Sequence, residues 1–329
     1  MADKDQKDYV IGVDVGGTKV AAGFVNAAGE IGAVTRVRMI SDGGPEDGVN
    51  AVAGAIDYLM EMGQKNQWAI RAIGICAPGP LDPHTGIIIN PPNVPCWRNY
   101  PLAAEISRRY RLPVKIENDA NAAALAEVLW GAGRGHSKVF YLSIGTGIGT
   151  GFILDGKIYN GRTGAAPEGG HVSIDYRGPV CTCGKRGCIE IYISGPAIAK
   201  RAQARLEAAH VRQAPILELA GGQIAGVTCE VVSQANAAGD TFAKATLLET
   251  VDLLSVWLGN IIDLLEPDVI VVGGGVATVL QPFFGDIRER LPSWCINSRA
   301  LEIPIVPAHY GANAGIAGGA ALAVDTLQN

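Results

Sequence analysis

Short apolar runs rich in β-branched residues recur along the chain, separated by glycine turns and by longer amphipathic segments. The run YVIGVDV, from Tyr9, leads into GGT and then into KVAAGFV, which predicts a strand, a glycine turn and a second strand. From residue 139 the sequence VFYLSI, GTGIGTG, FILDGKI repeats this arrangement. The two glycine-tipped hairpins predict an internal duplication within an α/β fold.

A third glycine cluster follows the apolar run VIVV and precedes a predicted helix over 277–291. Nucleotides bind near such strand-to-helix turns, and glycine-rich turns present backbone N–H groups to phosphates. GTGIGTG is not a dinucleotide fingerprint, because a strand and not a helix follows it. The predicted nucleotide-binding residues are Gly16, Gly17, Thr18, Lys19, Gly145, Thr146, Gly147, Gly149, Gly273, Gly274 and Gly275.

Further periodic segments predict helices over 46–63, 101–111, 195–221, 236–266 and 311–326, and an Ala-rich helix after the short strand that begins at residue 113. The last helix is rich in small residues, which would let it pack closely on the first half of the chain. A length of 329 residues favours two domains.

Charge and hydropathy restrict the class of protein. The net charge is −5 and no long Lys/Arg run occurs, so no nucleic-acid partner is expected. The N-terminal MADKDQKD lacks the apolar core of a signal peptide, and no stretch reaches the roughly 20 apolar residues of a spanning helix. These features predict a soluble cytoplasmic protein without membrane contact.

One histidine and three cysteines lie close together in the sequence, at His171, Cys181, Cys183 and Cys188. Disulfides are rare in the reducing cytoplasm, and zinc commonly takes three Cys and one His as a closed tetrahedral set. The alternative, buried apolar cysteines, fits poorly because Thr182, Lys185 and Arg186 make the segment polar. The spacing therefore predicts a structural zinc site.

Two aspartates mark ends of predicted strands. Asp14 precedes the first glycine turn, where a carboxylate is compatible with phosphate if Mg²⁺ lies between them, although it could instead only hydrogen-bond the turn. Asp119 begins the Ala-rich helix and is either its N-cap or a catalytic base, which the residues alone leave open. Polar residues near other predicted loops (Asn93, Asn118, Glu168, His171 and Glu190) are typical of a site for a polyhydroxylated substrate.

Across nearly its full length the sequence resembles the sugar kinases of the ROK family. The motifs that carry the resemblance are DVGGTK (14–19), APGP (77–80), NPPN (90–93), ENDAN (117–121), GTGIGTG (145–151), EGGH (168–171), CTCGKRGCIE (181–190) and EPDVIVVGGGV (266–276). One departure stands at Gly169, where the family usually has a bulky apolar residue. We expect this glycine to loosen the placement of Glu168, with Pro167 stiffening the approach.

The resemblance implies an actin-like, ribonuclease-H-type duplicated fold with two lobes, residues 1–121 plus 312–329 and residues 122–311. It implies an ATP- and Mg²⁺-dependent kinase that phosphorylates O6 of a hexose, with glucose as the preferred sugar and an N-acylmannosamine or other amino sugar as the alternative. A homodimer is expected. A sugar-responsive repressor of the same family is disfavoured, because only eight residues precede the first strand. By the same resemblance Asp119 is the base, the zinc ligands are the four residues named above, and the sugar contacts are Gly79, Asn93, Asn118, Asp119, Glu168, His171 and Glu190.

Overall fold

The structure, a computed structural model, describes residues 8–328 and contains two similar five-stranded sheets. The strands are β1 (Asp8–Val15), β2 (Lys19–Val25), β3 (Ile31–Arg38), β4 (Ala69–Ala77), β5 (Leu81–Asp82), β6 (Ile87–Ile88), β7 (Val114–Asn118), β8 (Lys138–Ile144), β9 (Ile148–Leu154), β10 (Lys157–Ile158), β11 (Val269–Gly273) and β12 (Ile305–Pro307).

The α-helices are α1 (Pro45–Lys65), α2 (Leu102–Tyr110), α3 (Asp119–Leu129), α4 (Glu190–Ile193), α5 (Gly195–Ala208), α6 (Pro215–Leu219), α7 (Cys229–Ala237), α8 (Thr241–Leu265), α9 (Ala277–Leu280), α10 (Phe284–Arg290) and α11 (Ala314–Gln328). Short 3₁₀ turns connect several of them, including Gly169–His171.

The strand order repeats between the sheets. The first sheet runs β3-β2-β1-β4-β7, and the second runs β10-β9-β8-β11-β12. In the first sheet β1 pairs antiparallel with β2 and parallel with β4, and β4 pairs parallel with β7. In the second, β9 and β10 are antiparallel and β11 and β12 are parallel. The duplication predicted from the two hairpins is therefore present in the topology.

Contacts divide the chain into two compact units. The first comprises residues 8–141, 151–167 and 309–328, and the second comprises Leu142–Thr150 and Glu168–Ala308. The predicted lobe boundaries at residues 121/122 and 311/312 stay a prediction.

In the first unit, one face of the sheet packs on α1 around Phe24, Ile56 and Trp97, and α11 covers the opposite face. A Cβ on Gly12 or Gly74 would collide with the backbone of α11. Small residues on both sides therefore allow the close packing predicted for the last helix.

Several predicted helices are shorter in the structure. The helix predicted over 195–221 is interrupted after Ala208, where His210 takes a positive φ of 51°, and residues 215–219 form the separate helix α6. The helix predicted over 277–291 is split into α9 and α10 by a 3₁₀ turn that contains Pro282, whose ring cannot continue an α-helix.

Helix α8 is an exception to the expectation that no stretch of the chain is apolar enough to span a membrane. Among the described residues it alone is long and apolar enough to span a membrane by length and composition. Most of its apolar stretch is buried inside the second unit, where α8 packs against α5, α7 and α10. Burial against other helices explains its composition as that of a core helix.

Candidate functional site

The first glycine hairpin is shaped by a backbone contact from a distant loop. The N–H of Gly16 donates to the carbonyl of Lys19 at 2.9 Å, which closes the turn. A Cβ on Gly17 would lie 2.6 Å from the carbonyl oxygen of Asn93, so this position requires glycine. The fold thus places Asn93, predicted on the sugar side, directly against the predicted phosphate-binding turn.

Asp14 ends β1 as a largely enclosed carboxylate. Its side chain lies against Gly315 at the start of α11, where a Cβ would overlap the carboxyl group. Burial and, to a lesser extent, the negative charge of Asp119 raise the pKa of Asp14 to about 6, with Lys19 partly opposing the shift. An enclosed, anion-flanked carboxylate of this kind is stabilised by a nearby cation, so the arrangement fits the predicted Mg²⁺ role.

The junction of β7 and α3 carries Asn118 and Asp119. The Asn118 side chain is the N-cap, since its Oδ1 accepts from the N–H of Ala120 at 3.0 Å. Asp119 Oδ1 also accepts from that N–H, at 2.8 Å, although the Asp119 side chain is exposed to solvent. Although the residue reaches the surface, the protein atoms packed around its carboxyl group partly desolvate that group and so raise the pKa of Asp119. Capping of α3 therefore does not depend on Asp119 alone. Of the two roles that the sequence left open for Asp119, N-cap or base, this arrangement favours the base.

Gly79 lies beside this junction. A Cβ at Gly79 would be 3.6 Å from Asn118 Nδ2. The first unit thus brings together Gly79 and Asn118 at one point and Gly17 and Asn93 at another, with Asp14 electrostatically coupled to Asp119.

The second glycine hairpin has partners from two later parts of the chain. Glu190, at the start of α4, accepts from the N–H of Ile148 at 2.9 Å through Oε2. The N–H of Gly195 donates to the carbonyl of Gly145 at 2.8 Å, which puts the start of α5 at the turn. Gly274, with a φ of 85°, packs against the backbone of Ile144. Two predicted nucleotide-binding clusters and one predicted sugar contact are therefore adjacent within the second unit.

The four predicted metal ligands converge. The ligand atoms of His171, Cys181, Cys183 and Cys188 all lie within 4.8 Å of one another. Cys181 Sγ is 3.7 Å from His171 Nδ1, and Cys183 Sγ is 3.6 Å from Cys188 Sγ. A tetrahedral zinc ion with these ligands requires separations of about 3.5–3.8 Å. The donor set is compatible with zinc in both chemistry and spacing.

Glu168 and Gly169 are held differently from the expectation. The N–H of Gly169 donates to Thr150 Oγ1 at 2.8 Å, and its carbonyl accepts from Trp257 Nε1 at 3.1 Å. A Cβ on Gly169 would lie 2.9 Å from Thr150 and 3.1 Å from the Trp257 ring. The backbone next to Glu168 is thus fixed on both sides, because the indole of Trp257 fills the space beside Gly169. The expected looseness is absent.

Sequence reasoning missed two buried carboxylates of the first unit. Glu117 and Glu127 are almost inaccessible to solvent and bind backbone N–H groups. Glu127 accepts from Ala132 and His309, both at 2.8 Å. The sequence does show Glu117 as a charged residue near the end of an apolar strand, and a buried charge there requires hydrogen-bonding partners. It does not show which residues these are, because Asn160 is distant in sequence.

Comparisons with known proteins identify the family of the chain. The family model described as ROK matches residues 10–326. A glucokinase of Thermotoga maritima is 34% identical over 314 residues, which cover 95% of this chain and 96% of that protein. The crystal structure of a ROK family glucokinase from Streptomyces griseus, in complex with glucose and AMPPNP, is 34% identical and has a TM-score of 0.80, covering 96% of this chain and 99% of the other.

A relative of another function also matches. The xylose repressor of Bacillus subtilis is 28% identical over 317 residues, which cover 96% of this chain and 77% of the repressor. The likeness to the solved glucokinase confirms the predicted actin-like α/β fold.

Proposed function

Since this chain belongs to the ROK family, we propose that it transfers the γ-phosphoryl group of ATP to O6 of a hexose, with glucose as the preferred sugar. Two glucokinases at 34% identity, one of them crystallised with glucose and AMPPNP, support this choice over a repressor. The observation that carries the proposal is the environment of Asp119, an exposed carboxylate at a strand-to-helix junction whose capping role Asn118 shares.

In the proposed reaction Asp119 takes the proton of the sugar hydroxyl. O6 forms a bond to the γ-phosphorus as the bond between that phosphorus and the bridging oxygen breaks, and ADP leaves with the electron pair. The raised pKa of Asp119 favours proton transfer, because a stronger base gains more from accepting the proton.

Phosphate recognition is assigned to the glycine turns. In the turns Gly16–Lys19, Gly145–Gly149 and Gly273–Gly275, the backbone N–H groups that are not already bonded within the protein would donate to phosphate oxygens, and the glycines there add no side chain to obstruct them. Asp14 would hold the Mg²⁺ that neutralises phosphate charge, which fits its enclosed, anion-flanked position.

Sugar recognition is assigned to Gly79, Asn93, Asn118, Asp119, Glu168, His171 and Glu190. Asn118 and Asn93 offer amide donors and acceptors beside the turns described above, and Glu190 has one carboxylate oxygen engaged by Ile148 and a second 4.0 Å from His171 Nδ1. Zinc, held by His171, Cys181, Cys183 and Cys188, would fix the segment that carries Glu168 and Glu190.

A sugar panel tests the proposal. ADP release is measured with glucose, mannose, N-acetylmannosamine, N-acetylglucosamine and fructose. The highest kcat/KM is expected with glucose. A preference for N-acetylmannosamine would replace glucose with an amino sugar, and sugar binding without any phosphoryl transfer would favour a sensor instead of a kinase.

The variant Asp119→Asn tests the assigned base. Asn caps a helix about as well as Asp but is a far poorer base, so the thermal midpoint and glucose binding should be retained. Turnover should fall by roughly 10²- to 10⁴-fold. Asp42→Asn, which alters an exposed aspartate in a turn, is the control and should leave turnover unchanged. A loss of less than about tenfold in Asp119→Asn would show that the base is another group.

We also propose the two-lobe organisation given by the sequence (residues 1–121 with 312–329, and residues 122–311), a cytoplasmic location and a homodimer. Light scattering of the purified protein at micromolar concentration tests the dimer. A dimer should give a mass of twice the 34.3 kDa chain.

A further inference from the structure

Glu117 is the last residue but one of β7 and its side chain has no solvent-accessible surface. Its Oε1 accepts from the backbone N–H of Asn118 at 2.8 Å and from Asn121 Nδ2 at 3.4 Å. Its Oε2 accepts from Asn160 Nδ2 at 2.9 Å. A buried carboxylate is therefore surrounded by N–H donors from a backbone and two side-chain amides.

The orientation of the Asn121 amide is fixed by its neighbours. Besides Glu117, Asn121 Nδ2 faces Asn160 Oδ1 at 3.3 Å and the carbonyl oxygen of Ala166 at 3.0 Å. Turning the amide over would place its carbonyl oxygen against three acceptors. Among the described residues Asn121 Oδ1 has no hydrogen-bond partner, so the three contacts of Asn121 Nδ2 alone determine the orientation of the amide.

The charge of Glu117 is matched by these donors and not by a contacting cation. Burial raises the pKa of Glu117, whereas the N–H donors of Asn118, Asn160 and Asn121 lower it, and Lys115 lowers it from a distance. A buried polar group of this kind is stable only when its partners have complementary donors and acceptors. Two amides that present N–H groups to one carboxylate satisfy that condition.

We propose that Glu117, with Asn121 and Asn160, positions Asn118 and Asp119 for the phosphoryl transfer proposed above, on which this inference rests. The Glu117 carboxylate accepts from the N–H of Asn118 and so fixes the plane of the peptide bond between residues 117 and 118. Asn118 and Asp119 follow directly after that peptide bond, at the end of the strand. The same network binds the carbonyl of Ala166, two residues before Glu168 in the chain. Glu117 touches neither sugar nor nucleotide in this scheme and is a positioning residue.

A purely structural role is the competing explanation. In that case, loss of a buried hydrogen bond would lower the stability of the fold without changing the turnover of the folded protein. A positioning role predicts instead that turnover falls at temperatures where the protein is folded, because displacement of a reacting group by about 1 Å can cost on the order of 100-fold.

A donor-acceptor exchange between Glu117 and Asn160 separates these explanations. In Glu117→Gln the new side-chain NH₂ meets the NH₂ of Asn160, donor against donor. In Asn160→Asp two carboxylates meet. The double variant Glu117→Gln with Asn160→Asp restores complementarity, since the Gln NH₂ donates to one Asp oxygen and Asn121 donates to the other. Its net charge and its number of heavy atoms equal those of the wild type.

The four proteins are compared in glucose phosphorylation, thermal midpoint and hydrogen–deuterium exchange of the segment 114–121. Each single variant should lose roughly 10- to 100-fold in turnover with a KM for glucose within about threefold of wild type. Both single variants should exchange the Asn118 amide faster. The double variant should regain turnover to within about threefold of wild type and should recover slow exchange.

Three results would overturn the inference: turnover of Glu117→Gln within about twofold of wild type, a double variant no more active than the weaker single variant, or losses confined to the thermal midpoint. If the wild type phosphorylates no hexose, the proposed function fails. The exchange rates of the same four proteins then decide independently whether Glu117 holds the Asn118 amide, and unchanged exchange in both single variants would reject it.

Discussion

Replacing Asp14 with asparagine should stabilise the fold while it abolishes phosphoryl transfer. The carboxylate pKa is raised from 3.8 to about 6, chiefly by burial. Because the folded-state pKa lies above the unfolded value, the folded state binds the proton more tightly than the unfolded chain does. Ionisation of Asp14 therefore destabilises the folded state as pH rises, and a neutral amide in its place would remove that effect.

The size of the effect follows from the shift. Each pKa unit corresponds to 1.36 kcal/mol, so the free energy of unfolding of the variant should exceed that of wild type by about 3 kcal/mol above pH 6. The advantage should accumulate between about pH 4 and pH 6, with about half of it present at pH 5, and vanish below pH 4, where the carboxyl group is protonated in both states.

Urea unfolding followed by circular dichroism, at pH 5 and pH 8 without nucleotide or Mg²⁺, measures this difference. Asp42→Asn, the exposed control, should change the free energy of unfolding by less than about 0.5 kcal/mol at both pH values. Addition of Mg²⁺ and ATP should narrow the gap at pH 8, because a cation beside Asp14 stabilises its ionised form. An Asp14→Asn variant that is no more stable at pH 8 than wild type, or whose advantage is equal at the two pH values, would refute the electrostatic reasoning.

Other predictions concern the second unit. Cys183→Ser should reduce bound zinc, measured by mass spectrometry, to well below one per chain and lower activity, whereas full activity without zinc would contradict the assignment. Gly169→Ala should lower the thermal midpoint, because the new methyl group meets Thr150 and Trp257, and an unchanged midpoint would show that the pocket can relax. Glu190→Gln should keep its bond from Ile148 through the amide oxygen, so its main effect should be a higher KM for glucose, measured by steady-state kinetics, and a loss confined to stability would exclude a sugar contact.

The features predicted from sequence were those encoded by short segments. Two hairpins with glycine tips were enough to predict the duplicated topology, and the spacing of His171, Cys181, Cys183 and Cys188 was enough to predict their convergence. The break between α9 and α10 does have a local sequence signal, because a proline inside a predicted helix, here Pro282, indicates an interruption.

The features that were missed depend on residues far apart in the chain. Asn160 meets Glu117 across 43 positions, and Trp257 meets Gly169 across 88. No local periodicity encodes such pairs, because side-chain complementarity in a core arises only when the fold has brought the segments together. Resemblance to a family marked Gly169 as unusual, but only the structure shows that an indole occupies the space of the absent side chain.

Three carboxylates of the first unit are neighbours: Glu117 and Asp119 lie close in sequence, and Asp119 interacts electrostatically with Asp14. Each of the three has a different environment. Glu117 is buried with a full set of N–H donors, Asp119 remains exposed, and Asp14 is enclosed without comparable donors, so its pKa rises to about 6. A chain selected only for stability would gain by replacing Asp14 with a neutral residue. The retained instability is explained if a cation completes the environment of Asp14 during the reaction, whereas the N–H donors of the protein itself satisfy Glu117. Removal of bound cation should therefore affect the ionisation of Asp14 and leave the Glu117 network intact.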